Sequence, residues 1–381
     1  MNINGNWAFP TNVRFGPGKI SELPEACMRA GMRNPLLITD KGLINHSITQ
    51  GALDVLAEAG YGKSIFANVD ANPNEHNLID GIAAFKSGEH DGVVAFGGGS
   101  GIDLAKMVAF MAGQSLDVWE FEDVGDNWRR ADEKAIAPSV AIPTTAGTGS
   151  EVGRASVITN SKTRMKKIIY HPKVLPVQVI CDPELTTSMP GHITAGTGLD
   201  AFAHCVEAYS SPHYHPMCQG IALEGMRLAV RYLPRAFENG SDLEARAHMM
   251  SAAAMGATAF QKGLGAIHSM SHPVGACFNT HHGTTNAVCM PAVLEFNAPA
   301  IADRFNHAAS YLGISGGFEG FCGFVRELNE RLEIPAGLSE FGVNADHIPD
   351  LARDAIEDPS CAGNPVELTV SALEGLYRSA L

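Results

Sequence analysis

Short apolar runs alternate with stretches of helical spacing over the first 180 or so residues. LLIT at 36–39, SIFANV at 64–69, DGVVAF at 91–96, SVAIP at 139–143 and VQVICD at 177–182 read as strands, with helical segments at 48–59 and 76–86 between the first three. DGVVAF is apolar without interruption, as a strand buried on both faces is. Such alternation predicts a parallel sheet with helices on either side. ASVITN at 155–160 and MKKIIY at 165–170 flank NSKTR and predict a β-hairpin. Beyond DPELT at 182–186 the period changes. MRLAVRYLPRAF, ARAHMMSAAAMGATAF, AVLEFNAPAIADRFNHAASYL and FCGFVRELNERL all space their apolar residues at 3.6, and no alternating strand interrupts them. The pattern therefore predicts an α/β domain over 1–184 and an all-α helical bundle over 185–381, and a chain of 381 residues is long enough for two cores.

Two turns in the first half have unusual chemistry. GGGSGIDLAK at 97–106 comes directly after the buried strand; its glycines let the backbone approach a ligand, and the helix that opens there presents free N–H groups to a phosphate. Ser100 is placed to cap that helix, with Asp103 at the capping-box position. PTTAGTGSEV at 143–152 strings hydroxyls and glycines together after the next strand. One such turn is weak evidence, but two after strands of one sheet point to a nucleotide.

In the second half, Asp200 and His204 stand four apart within LDAFAHCVEAY, so both project from one helix face. His268 and His272 repeat the spacing in GLGAIHSMSHPVGA, and His282 comes after the FNTHH turn begins. With 15 histidines in the chain, one such pair is easily an accident of a helix face. A second pair in a Gly- and Ala-rich context, with another histidine just beyond, points instead to a carboxylate and imidazoles converging on a divalent cation.

Composition narrows the field. A net charge of −14, with RMKK at 164–167 as the longest basic run, argues against nucleic acid or an anionic membrane as a partner. The 45% hydrophobic and 18% charged content is that of a globular protein; no apolar run is long enough to span a bilayer, and the start shows no signal-peptide pattern. The 8 cysteines form no C-x-x-C pair and mostly lie in apolar runs, which predicts reduced, buried thiols and a cytoplasmic location.

Taken together, GGGSGID, PTTAGTGSE and the Asp200, His204, His268, His282 set resemble the iron-containing (group III) alcohol dehydrogenase family, from FGPG at 15–18 to GNP at 363–365. The resemblance implies a dehydroquinate synthase-like fold: an N-terminal domain that binds NAD and a helical C-terminal domain that holds Fe2+, or Zn2+ or another divalent ion. It assigns the metal to Asp200, His204, His268 and His282, although His281 stands beside His282 where the family often has proline. It gives the pyrophosphate to Gly97, Gly98, Gly99 and Ser100 with Asp103 nearby, the nicotinamide half to Thr144, Thr145 and Thr148, and the adenosine side to Lys166. Asp40 would bond ribose hydroxyls and repel a 2′-phosphate, favouring NAD over NADP; the alternative is a turn aspartate. Phe260 and Cys361 would line the substrate pocket, and a homodimer or larger assembly is implied by analogy.

The implied reaction interconverts a small primary alcohol or diol and its aldehyde by hydride transfer. An alcohol is about as weak an acid as water, so a Lewis acid must stabilise its oxygen before hydride leaves. His272 is either the group that relays the hydroxyl proton or a packing residue beside the ligands. Four protein ligands would close a tetrahedral zinc site, whereas catalysis needs an open position, which favours a five- or six-coordinate ion such as Fe2+. Related two-domain enzymes are the rivals: a hydroxyacid–oxoacid transhydrogenase, a glycerol dehydrogenase or dehydroquinate synthase. A non-catalytic metal or nucleotide sensor is the remote one.

Overall fold

A computed structural model describes residue 9 and residues 11–163 and 165–381. The chain forms two compact units, one of Phe9–Thr145 and Gly149–Thr187, the other containing Ser188–Leu381 together with Ala146–Thr148 from the second glycine turn.

The first unit is built on six parallel strands in the order β1 (Val13–Phe15), β8 (Gln178–Cys181), β5 (Ser139–Pro143), β4 (Gly92–Gly97), β2 (Pro35–Ile38) and β3 (Ile65–Phe66). β6 (Ala155–Asn160) and β7 (Met165–Tyr170) pair antiparallel as a separate hairpin. β4 is buried along its whole length, as its unbroken apolar run requires. Leu37, Val94, Phe96, Val140, Ile142 and Ile180 enter a core completed by Leu23, Cys27, Leu53 and Leu56 of α1 (Leu23–Arg29) and α2 (Ser47–Glu58). α3 (Glu75–Ser87) and α4 (Gly99–Met111) complete the unit's long helices. β3 lies on one side of β2 and β4 on the other, so the strand order reverses between β2 and β4, the kind of switch point at whose carboxyl ends open α/β sheets bind ligands.

Sequence reasoning missed β1, whose three residues are too few for a periodic signal and whose Val13 and Phe15 are exposed. It also made β3 too long, since only Ile65 and Phe66 of SIFANV pair.

The second unit is helical throughout: α5 (Gly191–Ser210), α6 (Pro216–Glu238), α7 (Leu243–Ala259), α8 (Ala266–Phe278), α9 (His282–Leu312), α10 (Gly317–Arg331), α11 (Ile348–Ile356) and α12 (Val370–Ser379). α5 is buried on all sides from Leu199 to Ser210, the property of a central helix. No helix among the described residues is long and apolar enough to cross a membrane. The thiols are free and most are buried, as their apolar surroundings in the sequence predict; Cys277 near the end of α8 is exposed.

A buried lysine ties the two turns of the first unit together. Lys106 on α4 donates to the Ser150 carbonyl and hydroxyl, both at 2.9 Å, and to the Ala155 carbonyl at 2.5 Å, with Asp103 at 3.6 Å. Burial lowers its pKa, and Asp103 and Glu151 only partly offset that. Replacing Lys106 by Met leaves those oxygens and the Asp103 carboxylate without their cation. The expected cost is about 3 kcal/mol, read as a lower urea midpoint for the sheet unit by tryptophan fluorescence; an unchanged midpoint would show that the lysine is no anchor.

Candidate functional site

The side chains expected to hold a cation lie within the helical unit. On α5, Asp200 and His204 are one turn apart, and both are buried among small residues that let neighbouring helices come close. A Cβ built on Gly283, in the first turn of α9, would lie 2.1 Å from the Gly196 carbonyl oxygen, so the two backbones touch and no side chain fits between them. That contact sets His282 against Asp200. α8 contributes His268 from its first turn.

Asp200 Oδ1 lies 3.7 Å from His204 Nε2, 3.6 Å from His268 Nε2 and 3.5 Å from His282 Nε2. The ligand atoms of Asp200, His204 and His268 all fall within 4.8 Å of one another. A carboxylate and imidazoles are donors that first-row divalent cations accept, and neighbouring donors about 3–4 Å apart suit bonds of about 2.0–2.2 Å, so Asp200, His204 and His268 fit such an ion, with His282 Nε2 beside the same Asp200 oxygen. His281 is exposed and serves as the N-cap of α9, accepting from Thr284 N.

The electrostatics derive from burial. Burial alone would raise the Asp200 carboxyl, but the three imidazoles hold it well below the usual range. His204 is pushed down to about 4 by burial, which its attraction to Asp200 only partly offsets. His268 goes the other way, up to about 9, because Glu207 and Asp200 together outweigh its burial.

Three residues at this centre escaped the sequence reading. Glu207 Oε2 lies 2.5 Å from His268 Nδ1; its position seven after Asp200 puts it on the same face of α5, a signal that was present. Asn286, four after His282, places Nδ2 2.9 Å from Asp200 Oδ1 and 3.2 Å from Nε2 of both His268 and His282. Asp358 Oδ2 lies 2.7 Å from His272 Nδ1, and no local spacing announces a partner that far along the chain. Asp358 is held down to about 2; burial opposes this, and His272 with the Ser360 hydrogen bonds prevails.

His272 stacks on His282 with ring centroids 5.2 Å apart and planes at 18°. Phe260 meets the edge of His204 at 5.1 Å. Cys361 is half-buried, donates to the Ala355 carbonyl, and has its thiol pushed up to about 11 by burial.

The sheet unit brings Asp40, Gly97, Gly98, Thr144 and Thr145 to neighbouring strand ends, but not Lys166 or Thr148. Gly97 pairs with Pro143 at the carboxyl ends of β4 and β5, and Thr144 N donates to the Gly97 carbonyl at 2.9 Å. Gly97 has φ 147°, which favours glycine, and a Cβ on Gly98 would press to 3.2 Å from Thr145 Cγ2. Gly98, with no side chain to offer, is the N-cap of α4, so the expectation that Ser100 caps this helix is corrected: no side chain does. Gly99 and Ser100 lie within the first turn. Asp103 accepts from the Ser150 hydroxyl and from Val157 N at 3.0 Å, which makes it a brace between α4 and the second turn. Asp40, just past β2, accepts from Gly42 N at 2.8 Å and Leu43 N at 3.0 Å through Oδ1, the turn role; its Oδ2 points toward Gly97, 3.6 Å from where a Cβ would stand. Lys166 on β7 is half-buried opposite Thr159, whereas Thr148 groups with the helical unit.

Comparison with known proteins agrees with this arrangement. Residues 10–183 match the family model for iron-containing alcohol dehydrogenase, and residues 194–381 match that for the C-terminal part of the Fe-containing alcohol dehydrogenase family. The chain is 38% identical to a 4-hydroxybutyrate dehydrogenase of Cupriavidus necator over 95% of its own length and 96% of the relative's. It is 34% identical to an NAD-dependent methanol dehydrogenase of Bacillus methanolicus, covering 99% and 100% of the two chains. A crystal structure of a 1,3-propanediol oxidoreductase superposes with a TM-score of 0.93 at 34% identity, over 99% of each chain. A buried carboxylate ringed by imidazoles, glycine turns at adjacent strand ends and these matches along both halves lead to one conclusion: the chain belongs to the iron-containing alcohol dehydrogenase family and is an alcohol oxidoreductase.

Proposed function

We propose that the protein is an NAD(H)-dependent dehydrogenase that interconverts a small primary alcohol or diol and its aldehyde around a divalent ion, Fe2+ in preference to Zn2+. The observation that carries this reading is the placement of three imidazole Nε2 atoms 3.5–3.7 Å from one buried carboxylate oxygen. Asp200, His204, His268 and His282 would hold the ion. When bound, it would supply Lewis-acid stabilisation of negative charge on a substrate oxygen.

His272 would manage the hydroxyl proton. With Nδ1 donating to Asp358, its Nε2 is left as the acceptor, and the buried carboxylate steadies the imidazolium that results. Phe260, edge-on to His204, and Cys361 are the proposed walls of the alcohol site.

A nicotinamide dinucleotide would supply the hydride acceptor or donor. The uncapped start of α4 offers Gly97, Gly98, Gly99 and Ser100 to its pyrophosphate. Thr144, Thr145 and Thr148 would take the nicotinamide half, Lys166 the adenosine side, and Asp40 Oδ2 the ribose hydroxyls; Asp103 would act through the turns it braces. The relatives named for 4-hydroxybutyrate and methanol support a short, unbranched substrate. Free thiols fit the cytoplasm, and a homodimer or larger assembly is part of this reading.

Three outcomes test it. Anaerobic reconstitution of the stripped protein with Fe2+ should restore NADH formation from short alcohols and diols, whereas Asp200→Asn should bind little metal and turn over little; full activity in the stripped protein would remove the metal from the mechanism. His272→Ala should lower kcat by about 10²- to 10⁴-fold with metal content near that of the unsubstituted protein, and equal loss of metal would make His272 a ligand instead. Asp40→Gly should raise kcat/KM with NADP relative to NAD by about tenfold or more, as expected from removing a charge repulsion of about 1.4 kcal/mol or greater; an unchanged ratio would leave Asp40 as a turn residue only.

A further inference from the structure

We propose that Glu207 is the positioning residue of the metal centre: one carboxylate fixes the ring of His268 and also caps the helix that carries it. The inference rests on the metal reading above.

Its starting point is a helix that cannot cap itself. α8 has Gly265 as its N-cap, which has no side chain to accept from its first turn. Those N–H groups still need acceptors in a buried setting. Two side chains from distant elements supply them: Asn364 Oδ1 accepts from Ala266 N at 3.1 Å, and Glu207 Oε1 accepts from Ile267 N at 2.7 Å. A Cβ on Gly265 would come within 2.8 Å of Asn364 Oδ1 and 3.2 Å of Glu207 Oε1, so a local capping side chain and this arrangement exclude each other. Asn364 is itself locked to Asn297 of α9 by two amide hydrogen bonds of 3.0 and 2.9 Å.

The second oxygen of Glu207 does the chemical work, at 2.5 Å from His268 Nδ1. A carboxylate can only accept there, so Nδ1 keeps its proton, and the nitrogen that would give up its own to a cation is Nε2, the atom that faces Asp200 Oδ1 at 3.6 Å. The ring is thereby held in the tautomer and orientation a cation needs. Asp200, His204 and Glu207 succeed one another down one face of α5, so that helix supplies two ligands and aims a third from behind. Charge fits as well: two buried carboxylates, Asp200 and Glu207, balance a divalent ion with all the imidazoles neutral.

Glu207→Gln tests this, because an amide oxygen can still accept from Ile267 N while the other position becomes an NH2 group that cannot accept from Nδ1. Affinity for Co2+, measured by competition with a chromogenic chelator, is expected to fall about 10- to 100-fold. Asn364→Ala, which removes the other cap but leaves the His268 contact, should lower the Tm of the metal-free protein and leave Co2+ affinity near that of the unsubstituted chain. Equal Co2+ affinity in Glu207→Gln and the unsubstituted protein overturns the proposal; so does an equal loss in Asn364→Ala, which would make helix capping the whole effect. Should Glu207→Gln fail to fold, NMR of nitrogen-labelled histidine in the Zn2+-loaded unsubstituted protein decides: a ring with its proton on Nδ1 and metal on Nε2 at His268 is expected, and metal on Nδ1 refutes it. An unsubstituted protein that binds neither ion overturns the metal reading itself, an outcome distinct from all of these.

Discussion

The helical unit is organised around the need to compensate one buried negative charge. Asp200 is only 2% exposed on a helix buried all round, so its carboxylate cannot turn to solvent. An ion in that position costs several kcal/mol unless polar partners surround it. His204, His268, His282 and Asn286 are those partners, and each comes with a constraint on the backbone that carries it. α8 and α9 both begin at the centre, so the positive ends of two helix dipoles lie beside Asp200 and Glu207. A divalent ion at the same point would add the positive charge that this arrangement is built to share.

The sheet unit solves a different problem, that of leaving room. β2, β4 and β5 end side by side, and each runs into a turn of small or polar residues: Asp40 after β2, Gly98 and Gly99 after β4, Thr144 and Thr145 after β5. The close approach of Thr145 to Gly98 and the left-handed backbone of Gly97 explain why glycines stand there. Lys106 and Asp103 on α4 tie the turn after β4 to the chain that leaves the turn after β5, each bonding to Ser150, while Asp40 braces its own turn. Order in the turns thus comes from a buried polar network and not from bulk.

Much of the fold could be read from periodicity, since the buried strands and most of the long helices have unambiguous spacing. Two of the elements that escaped did so for different physical reasons. β1 is three residues of an edge strand, stabilised by its pairing with β8, and such a partner is invisible to a local pattern. α9 extends back to His282 across Pro291 and Pro299, where reading from the sequence picks up the helix only after the first proline. At the centre, the Asp200–His204 and His268–His272 pairs were legible because spacing by four on a helix is itself a statement about direction, whereas His282 entered through the family resemblance. Glu207 obeyed the same geometry but passed as an ordinary helix glutamate. Asp358 could not have been found, for nothing near it in sequence mentions His272. The Ser100 cap failed because Gly98 takes the boundary position, shifting the first turn by two residues.

The backbone contact between Gly196 and Gly283 sets one dimension of the centre. Main chain meets main chain there, so the distance between Asp200 on α5 and His282 on α9 is fixed by the backbone and not by the side chains between them. A lone methyl group at residue 283 would widen that distance with every ligand still present. The spacing between α5 and the start of α9 is therefore set by an atom that glycine does not have.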